Sequence, residues 1–340
     1  MKMKLNFVWV FLVLIVFHTY CSGDDQTSVK QAIQVAPVFE IYDDSVQALL
    51  ENQPALEVLA DGLGWPEGPL WVEELNSLLF SDIEQNKIYR WQNEEGLSVY
   101  VSPSGHNPDG VNASWRGSNA LLVNNGELII ASQGGRTLMK MNAPLNSPKP
   151  AYSHIVERFQ GKKLNSPNDL LMDSAGNIYF TDPPYGLDGF ETSPALELDF
   201  FGVYRLTTTG MLELLVHDLK KPNGIALDEK GRKLLVSDSH PGKSQIMIYD
   251  LKDDGGVRNG KLFFDAVAYE KQGPGSTDGL EIHSSGMIFA TMPNGVGILN
   301  WDGKLLAYLA MGQVTNVAFN PDESMLFITG PEHLYRMQLK

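Results

Sequence analysis

At 340 residues, the chain is long enough for two average domains or for one large all-β domain. Hydrophobic residues make up 43% and charged residues 20%, which excludes a disordered chain and indicates a sizeable core. The formal net charge of −15 disfavours nucleic acid and anionic membrane surfaces as partners. It suits a cation-binding site, although a soluble surface alone also accounts for it.

The first 23 residues have the pattern of an export signal. Lys2 and Lys4 precede an apolar run over residues 5–17 that is too short for a good transmembrane helix. We therefore expect residues 1–23 to be a signal peptide and the protein to be exported, to a bacterial periplasm. Cys21, the sole cysteine, follows the run as the lipidated cysteine of a bacterial lipoprotein does. Simple cleavage and a lipid-anchored envelope protein both stay open, the anchor at Cys21 being the one expected link to a membrane.

Two regions follow the signal. Residues 24–55 are polar and are expected to form an N-terminal spacer. From Leu56 onward, short apolar runs rich in Val, Ile, Leu, Tyr and Phe are bounded by Gly, Asn, Asp or Pro, with almost no helical periodicity. Residues 56–340 are therefore predicted to form one all-β domain.

A strand–turn–strand unit recurs six times in this domain. Each unit starts with a turn-forming residue and a side-chain oxygen, followed by a hydrophobic strand, a turn and a second strand. The leading polar residues are Glu67, Asn119, Asn168, Asn223, Asp278 and Asn316. Their spacing, roughly 38 to 55 residues, matches a propeller blade. The sequence thus predicts a six-bladed β-propeller, closed by residues 56–60 as the outer strand of the last blade.

The six leading residues are expected to converge at one mouth of the central channel, where the inner strands begin. All six carry a side-chain oxygen, which is the ligand chemistry of a hard cation such as Ca²⁺. Roughly four protein ligands would leave room for water and substrate. The alternative is that each residue merely favours a turn.

Several motifs resemble those of the SMP-30/gluconolactonase/LRE family of six-bladed propellers. They are Trp65-Pro66-Glu67-Gly68-Pro69-Leu70-Trp71, Leu164-Asn165-Ser166-Pro167-Asn168-Asp169, Phe180-Thr181-Asp182-Pro183-Pro184-Tyr185-Gly186, Pro222-Asn223-Gly224-Ile225-Ala226 and Asp278-Gly279-Leu280. The resemblance covers roughly residues 56–340 and several motifs in order.

The resemblance implies a divalent cation, calcium first and Zn²⁺, Mg²⁺ or Mn²⁺ as alternatives. By position, its ligands would be Glu67, Asn168, Asn223 and Asp278. Asn119 matches a position on the substrate side of the pocket.

The second blade departs from the family pattern at Gln133. The family often has a histidine just before its Gly-Arg turn, whereas Gln133 stands there in this chain. This difference affects the expected contact with substrate and does not affect the expected metal ligands.

The cation would polarise a lactone carbonyl as a Lewis acid and lower the pKa of bound water. Asp278 is then the candidate general base, because a carboxylate touching both metal and water can accept a proton. Direct attack by Asp278 as a nucleophile stays open.

Four further side chains have less specific signals. Arg136 could orient a substrate or be a solvated loop residue, and His106 could line the pocket from a long loop between blades. Asp182 and Asp238 end second strands, and we expect them to fix loops through hydrogen bonds. No Gly-x-Ser-x-Gly, phosphate-loop or His-Glu-x-x-His motif occurs in the sequence, so serine hydrolase, nucleotide-binding and zinc-protease functions lack their usual signals.

The expected function is an exported, metal-dependent hydrolase that opens sugar lactones, with a small lactone or ester as its partner. One alternative is a phosphotriesterase or arylesterase on the same fold. The other is a binding propeller whose ion is only structural. The oligomeric state is left open.

Overall fold

The computed structural model describes residues 33–35, 38–50, 55–105 and 115–340. Among them are 28 β-strands and four short 3-10 segments, and no α-helix. The expected signal peptide with Cys21 lies outside the described residues, as does His106. Within those ranges, no helix has the length and apolar character needed to cross a bilayer.

Three strands precede the first blade. They are β1 (Ile33–Val35), β2 (Val38–Ile41) and β3 (Leu56–Ala60). Blade 1 contains β4 (Pro66–Val72), β5 (Ser77–Asp82), β6 (Lys87–Gln92) and β7 (Gly96–Val101). Blade 2 contains β8 (Leu121–Asn124), β9 (Glu127–Ser132), β10 (Thr137–Met141) and β11 (Tyr152–Val156). A small hairpin of β12 (Arg158–Phe159) and β13 (Lys162–Lys163) follows.

The next blades repeat the same order. Blade 3 contains β14 (Leu170–Met172), β15 (Ile178–Asp182), β16 (Gly202–Leu206) and β17 (Leu212–Val216). Blade 4 contains β18 (Pro222–Asp228), β19 (Lys233–Asp238), β20 (Gln245–Leu251) and β21 (Val257–Asp265). Blade 5 contains β22 (Leu280–Ile282), β23 (Ile288–Met292), β24 (Gly295–Leu299) and β25 (Leu305–Ala310). Blade 6 starts with β26 (Asn316–Phe319), β27 (Met325–Gly330) and β28 (His333–Gln338).

The ring is closed by β3, which pairs with β28 as the fourth strand of blade 6. The six-bladed all-β propeller predicted from the repeats is therefore confirmed, together with its closing strand. The strands of each blade are antiparallel, and in blades 1 to 4 they follow chain order from the axis outward. Closure through an early strand joins the two ends of the domain, so that every blade has a neighbour on both sides.

Hydrophobic side chains fill the gaps between blades. In β5, Leu78 and Phe80 pack toward blade 6, whereas Leu79 packs toward blade 2. Alternate residues of a strand point to opposite faces, and both faces of an inner strand are covered here. This double burial explains why the second strand of each unit is a continuous apolar run in the sequence.

The segment expected as a spacer contributes to two blades. Strand β1 pairs with β3 at the edge of blade 6, and β2 pairs with β25 at the edge of blade 5. A 3-10 turn at Asp44–Ala48 follows, and its Val46 is buried with Leu50 in the core between these blades. The backbone N–H of Lys340 donates to the carbonyl of Leu49 at 2.9 Å. The N-terminal segment thus ties blades 5 and 6 together and contacts the C-terminus.

Candidate active site

The six leading polar residues lie at the start of the inner strands, at one mouth of the channel. Glu67, Asn223 and Asn316 lie within the first two residues of β4, β18 and β26. The other three, Asn119, Asn168 and Asp278, lie two residues before β8, β14 and β22. Five of the six are buried and Asp278 is partly exposed. We call this set the polar ring.

Hydroxyl groups of the second strands hold the backbone of the polar ring. The hydroxyl of Ser81 donates to the carbonyl of Asn119 at 2.6 Å. Thr181 donates in the same way to Asn223 at 2.7 Å, and Ser237 donates to Asp278 at 2.7 Å. Each bond crosses from one blade to the next, so the position of a ring residue depends on the neighbouring blade.

These hydroxyl residues were not predicted from the sequence. The signal that could have found them is a serine or threonine directly before the aspartate that ends a second strand, as in Thr181-Asp182 and Ser237-Asp238. One Ser-Asp or Thr-Asp pair by itself is typical of any polar strand end. The recurrence of the pair at the same position in several blades indicates a shared structural role.

The strand-ending aspartates fix the segments that lead into the inner strands. Asp182 accepts hydrogen bonds from the backbone N–H groups of Asn165 at 2.8 Å and Ser166 at 2.7 Å. Asp238 accepts from the N–H groups of Lys220 at 3.2 Å and Lys221 at 2.9 Å. The expectation of a loop-fixing role for Asp182 and Asp238 is confirmed.

Glycines let neighbouring inner strands approach closely behind the ring. A Cβ atom added to Gly224 would lie 2.1 Å from the carbonyl oxygen of Asp278. A Cβ atom on Gly279 would lie 2.0 Å from Oδ1 of Asn316. Because real Cβ atoms do not approach so closely, a larger residue would push adjacent blades apart at the ring.

Three carboxyl groups are crowded near the mouth. Burial, and then the charge of Asp169, raise the pKa of Glu67 to about 8, although hydrogen bonds from Gly68, Asn316 and Trp65 oppose this. Although Asp278 as a residue is partly exposed, Oδ1 of its carboxyl group is buried, and this desolvation, followed by the charges of Glu67 and Asp169, raises the pKa of Asp278 well above its usual range. The ionised forms are therefore unfavourable without a counter-charge, and a bound cation would supply one.

The donors of the polar ring fit a hard cation. Its carboxylate and carboxamide oxygens match the ligand preference of Ca²⁺, and Oδ1 of Asp278 is buried without a hydrogen-bond partner among the described residues. In the described part of the chain, no three His, Cys, Asp or Glu side chains are grouped as metal ligands. A cation at this mouth would therefore need amide oxygens as well as the two carboxylates.

Asn119 and Asn168 meet at a shared partner. The Nδ2 atoms of both donate to Oε1 of Gln133, at 3.0 Å and 3.5 Å respectively. The structure therefore places the predicted substrate-side residue Asn119 next to the predicted metal ligand Asn168, in one network.

The side chain of Arg136 donates hydrogen bonds to backbone carbonyls. Its Nε donates to the carbonyls of Leu164 at 2.8 Å and Asn165 at 3.1 Å, and one terminal nitrogen donates to Ala195 at 3.0 Å. The side chain is 7% exposed. These bonds tie blade 2 to the loops of blade 3, and a role of Arg136 in orienting substrate stays a prediction.

Asp169 also connects blades. Its carboxylate accepts from the N–H of Leu170 at 2.9 Å and from the N–H of Ile225, in blade 4, at 3.2 Å. Asp169 therefore links blade 3 to blade 4, next to the polar-ring residue Asn168. Burial raises the pKa of Asp169 to about 7.

Tyr185 is a site neighbour that the sequence did not single out. Burial, followed by the charge of Asp278, raises the pKa of its hydroxyl, which hydrogen-bonds Ser239. The hydroxyl of Ser239 in turn donates to the carbonyl of Thr277 at 2.6 Å. Tyr185 is therefore linked to the residue directly before Asp278 and is only partly buried.

The chain is similar to proteins of one known family. The family model described as SMP-30/gluconolactonase/LRE-like region matches residues 65–331. A gluconolactonase of Zymomonas mobilis is 34% identical over 307 residues, which is 88% of this chain and 85% of that protein. The pentonolactonase XacC of Haloferax volcanii is 23% identical over 274 residues, covering 77% of this chain and 80% of that protein.

A solved structure shows the same architecture at similar length. The structure of a gluconolactonase from Xanthomonas campestris superimposes with a TM-score of 0.76 at 27% identity. The match covers 92% of this chain and 99% of that one. The shared fold therefore includes almost the whole propeller.

Proposed function

This chain belongs to the SMP-30/gluconolactonase/LRE-like family, and on that premise we propose that it is a gluconolactonase-like hydrolase that uses a divalent cation to open sugar lactones. The observation that carries the proposal is the polar ring. It groups Glu67, Asn168, Asn223 and Asp278 at one mouth of a propeller whose relative of 34% identity is a gluconolactonase. The aldonolactones named by the relatives suggest the substrate class.

The four proposed ligands have complementary roles. Glu67 and Asp278 would balance the charge of a divalent ion, and the amide oxygens of Asn168 and Asn223 would complete the protein ligands. Calcium suits this set best, and Zn²⁺, Mg²⁺ and Mn²⁺ remain alternatives. When bound, the ion supplies Lewis-acid polarisation of the lactone carbonyl and a more acidic water.

Asp278 is the proposed general base. It is partly exposed, unlike the other ring residues, so both the ring and the solvent side of the mouth can reach it. Asp278 would take a proton from the water that attacks the carbonyl carbon of the lactone. It would return this proton to the ring oxygen of the lactone as the acyl C–O bond breaks. Attack by the Asp278 carboxylate itself, followed by hydrolysis of the resulting ester, stays open.

The surroundings of the site suit a hydroxyl-rich substrate. Asn119 and Tyr185 bring polar groups close to the polar ring, where they can hydrogen-bond substrate hydroxyls. Asn119 is the proposed contact on the side of blade 2, with Arg136 and His106 as further candidates from the sequence.

A chelator-controlled assay tests the proposal. Protein treated with EDTA and then dialysed is expected to open glucono-δ-lactone only after Ca²⁺ or another divalent ion is restored. Phenyl acetate and a phosphotriester serve as parallel substrates. Turnover of these alone would favour the esterase or phosphotriesterase alternative. Stabilisation by the ion without any turnover would favour a binding propeller.

Export is a separate proposal. Residues 1–23 would direct the protein to the periplasm, and acylation at Cys21 would anchor it in the envelope. Intact mass measurement of protein purified from a bacterial host separates the outcomes. A mature chain that retains residue 1 would contradict export, and an added lipid mass on Cys21 would establish the anchor.

A further inference from the structure

Gln133 is the side chain that connects two members of the polar ring. Its Oε1 accepts hydrogen bonds from Nδ2 of Asn119 at 3.0 Å and from Nδ2 of Asn168 at 3.5 Å. Gln133 and Asn119 are each 1% exposed and Asn168 is 4% exposed. Water therefore cannot easily replace Gln133 in either bond.

These bonds decide whether the oxygen or the nitrogen of each asparagine carboxamide faces Gln133. A carboxamide has an oxygen that accepts and a nitrogen that donates, on opposite sides of one carbon. Since Gln133 offers its oxygen, Asn119 and Asn168 must both present their nitrogens to it. Their oxygens are then turned away from Gln133, and oxygen is the only end of a carboxamide that a hard cation accepts.

We propose that Gln133 is a positioning residue, which holds the carboxamide oxygen of Asn168 toward the cation and that of Asn119 toward the substrate side of the site. The inference rests on the proposed metal-dependent function. It assigns to this position a task in orienting ligands, performed through the side-chain oxygen.

The backbone of Gln133 is fixed tightly enough for this task. Its carbonyl accepts from the N–H of Arg136 at 3.3 Å, and a Cβ atom on Gly186 would lie 2.5 Å from the same oxygen. A Cβ atom on Gly134 would lie 2.4 Å from Cα of Arg116. Close packing on both sides leaves little room for the turn to shift. The backbone from which the Gln133 side chain projects is therefore held at a defined place.

Two atoms of the network point to a missing partner. Oδ1 of Asn119 and Nε2 of Gln133 are buried, with no hydrogen-bond partner among the described residues. Burying a polar atom without a partner destabilises the folded state, so the arrangement is not the one that fold stability alone would favour. A substrate hydroxyl, or a water bound to the cation, would give the Asn119 oxygen a partner.

Calcium titration of the chelator-treated protein tests the inference. Gln133→Leu removes the acceptor and is expected to weaken Ca²⁺ binding about 10- to 100-fold, as is usual when a residue supporting a metal ligand is lost. Gln133→Glu keeps an acceptor oxygen and is expected to restore affinity. Gln92→Leu is the matched control, because Gln92 donates to the carbonyl of Leu75 at the opposite end of blade 1. Its affinity is expected to match that of the unsubstituted protein.

Thermal unfolding with and without Ca²⁺ separates positioning from a structural role. A positioning role predicts that Gln133→Leu reduces the rise in Tm produced by Ca²⁺. Equal losses in Tm with and without the ion would overturn the inference. If Gln133→Leu binds Ca²⁺ normally, the inference fails and the proposed function stands. If the unsubstituted protein binds no divalent cation, both fail.

Neutron diffraction from crystals of the perdeuterated apo-protein gives a check that needs no metal. It distinguishes amide nitrogen from oxygen through the attached deuterium atoms. Nitrogens of Asn119 and Asn168 facing Gln133 are expected. An oxygen of Asn168 facing Gln133 would overturn the inference.

Discussion

The hydroxyl of Ser237 donates to the backbone carbonyl of Asp278 across the boundary between blades 4 and 5, at 2.7 Å. Ser237 is 1% exposed and is the penultimate residue of the second strand of its blade. The proposed general base is therefore positioned by a residue of the adjacent blade. Such bonds recur around the ring, so the geometry of the site depends on correct packing between blades.

Ser237→Ala is expected to weaken the site more than the fold. Loss of one buried hydrogen bond should lower the free energy of unfolding by about 1–3 kcal/mol, because the carbonyl loses a partner. We expect Ca²⁺ affinity and lactonase activity to fall together, as measured by titration and by lactone hydrolysis. Ser98→Ala is the control, since Ser98 makes a long bond of 3.4 Å to Arg90 within blade 1. Equal Ca²⁺ affinity and equal lactonase activity in Ser237→Ala and Ser98→Ala would contradict the role of Ser237.

Asp278→Asn should separate activity from stability. Removing the general base is expected to lower kcat about 10²- to 10⁴-fold. Without metal the same change should stabilise the protein, because it removes a carboxyl group whose ionised form is opposed by burial and by Glu67. Lactone hydrolysis and urea unfolding in EDTA measure the two effects.

The control for this change is Asp302→Asn, at an exposed turn. It should alter neither activity nor stability. Unchanged kcat in Asp278→Asn would exclude both the general-base and the nucleophile role.

The stability of the metal-free protein should fall as the pH rises from about 4 to 8. Burial raises the pKa of Glu67 to about 8 and of Asp169 to about 7 in the folded state, above the values of 4.5 and 3.8 for free side chains. The folded state then binds protons more tightly than the unfolded state. The resulting contribution to the free energy of unfolding is fully present below about pH 4. It falls as the pH rises to 7–8, by up to about 1.4 kcal/mol per pH unit for each group.

Urea unfolding at several pH values, in EDTA and in Ca²⁺, measures this dependence. Ca²⁺ should flatten the curve, because a bound cation favours the ionised carboxylates. Glu67→Gln should reduce the slope measured in EDTA. A metal-free protein that becomes more stable from pH 5 to 8 would contradict the crowding of these groups.

Gly224→Ala should be more damaging than an alanine at an open glycine. The added Cβ would lie 2.1 Å from the carbonyl oxygen of Asp278, so blades 4 and 5 must separate at the ring. Gly210→Ala is the comparison, because nothing lies within 4 Å of its Cβ position and only its φ of +83° opposes the change. That strain costs about 1–2 kcal/mol.

We expect Gly224→Ala to lower the free energy of unfolding by more than Gly210→Ala does, and to weaken Ca²⁺ binding as well. Gly210→Ala should keep its affinity. Thermal unfolding and Ca²⁺ titration measure both variants. Similar stability losses with normal Ca²⁺ binding in both would contradict close approach at the ring.

The sequence by itself determined the number of blades, the closing strand and the polar residues that begin each inner strand. These features are local and periodic: a turn residue, an oxygen-bearing side chain and an apolar strand repeat at a blade's length. The loop-fixing role of Asp182 and Asp238 could also be predicted, because each aspartate ends a strand beside a turn.

Only the tertiary structure decided which side chains hold the ring in place. The bonds that Ser237 donates to Asp278 and that Asn168 donates to Gln133 join residues 41 and 35 positions apart. The pairing of β1 and β2 with blades 6 and 5, and the backbone contacts of Arg136, are likewise formed between distant segments. Such contacts depend on the closure of the ring, which brings neighbouring blades together. A repeat predicts that blades exist, but the geometry between blades decides which atoms of a buried amide or hydroxyl meet.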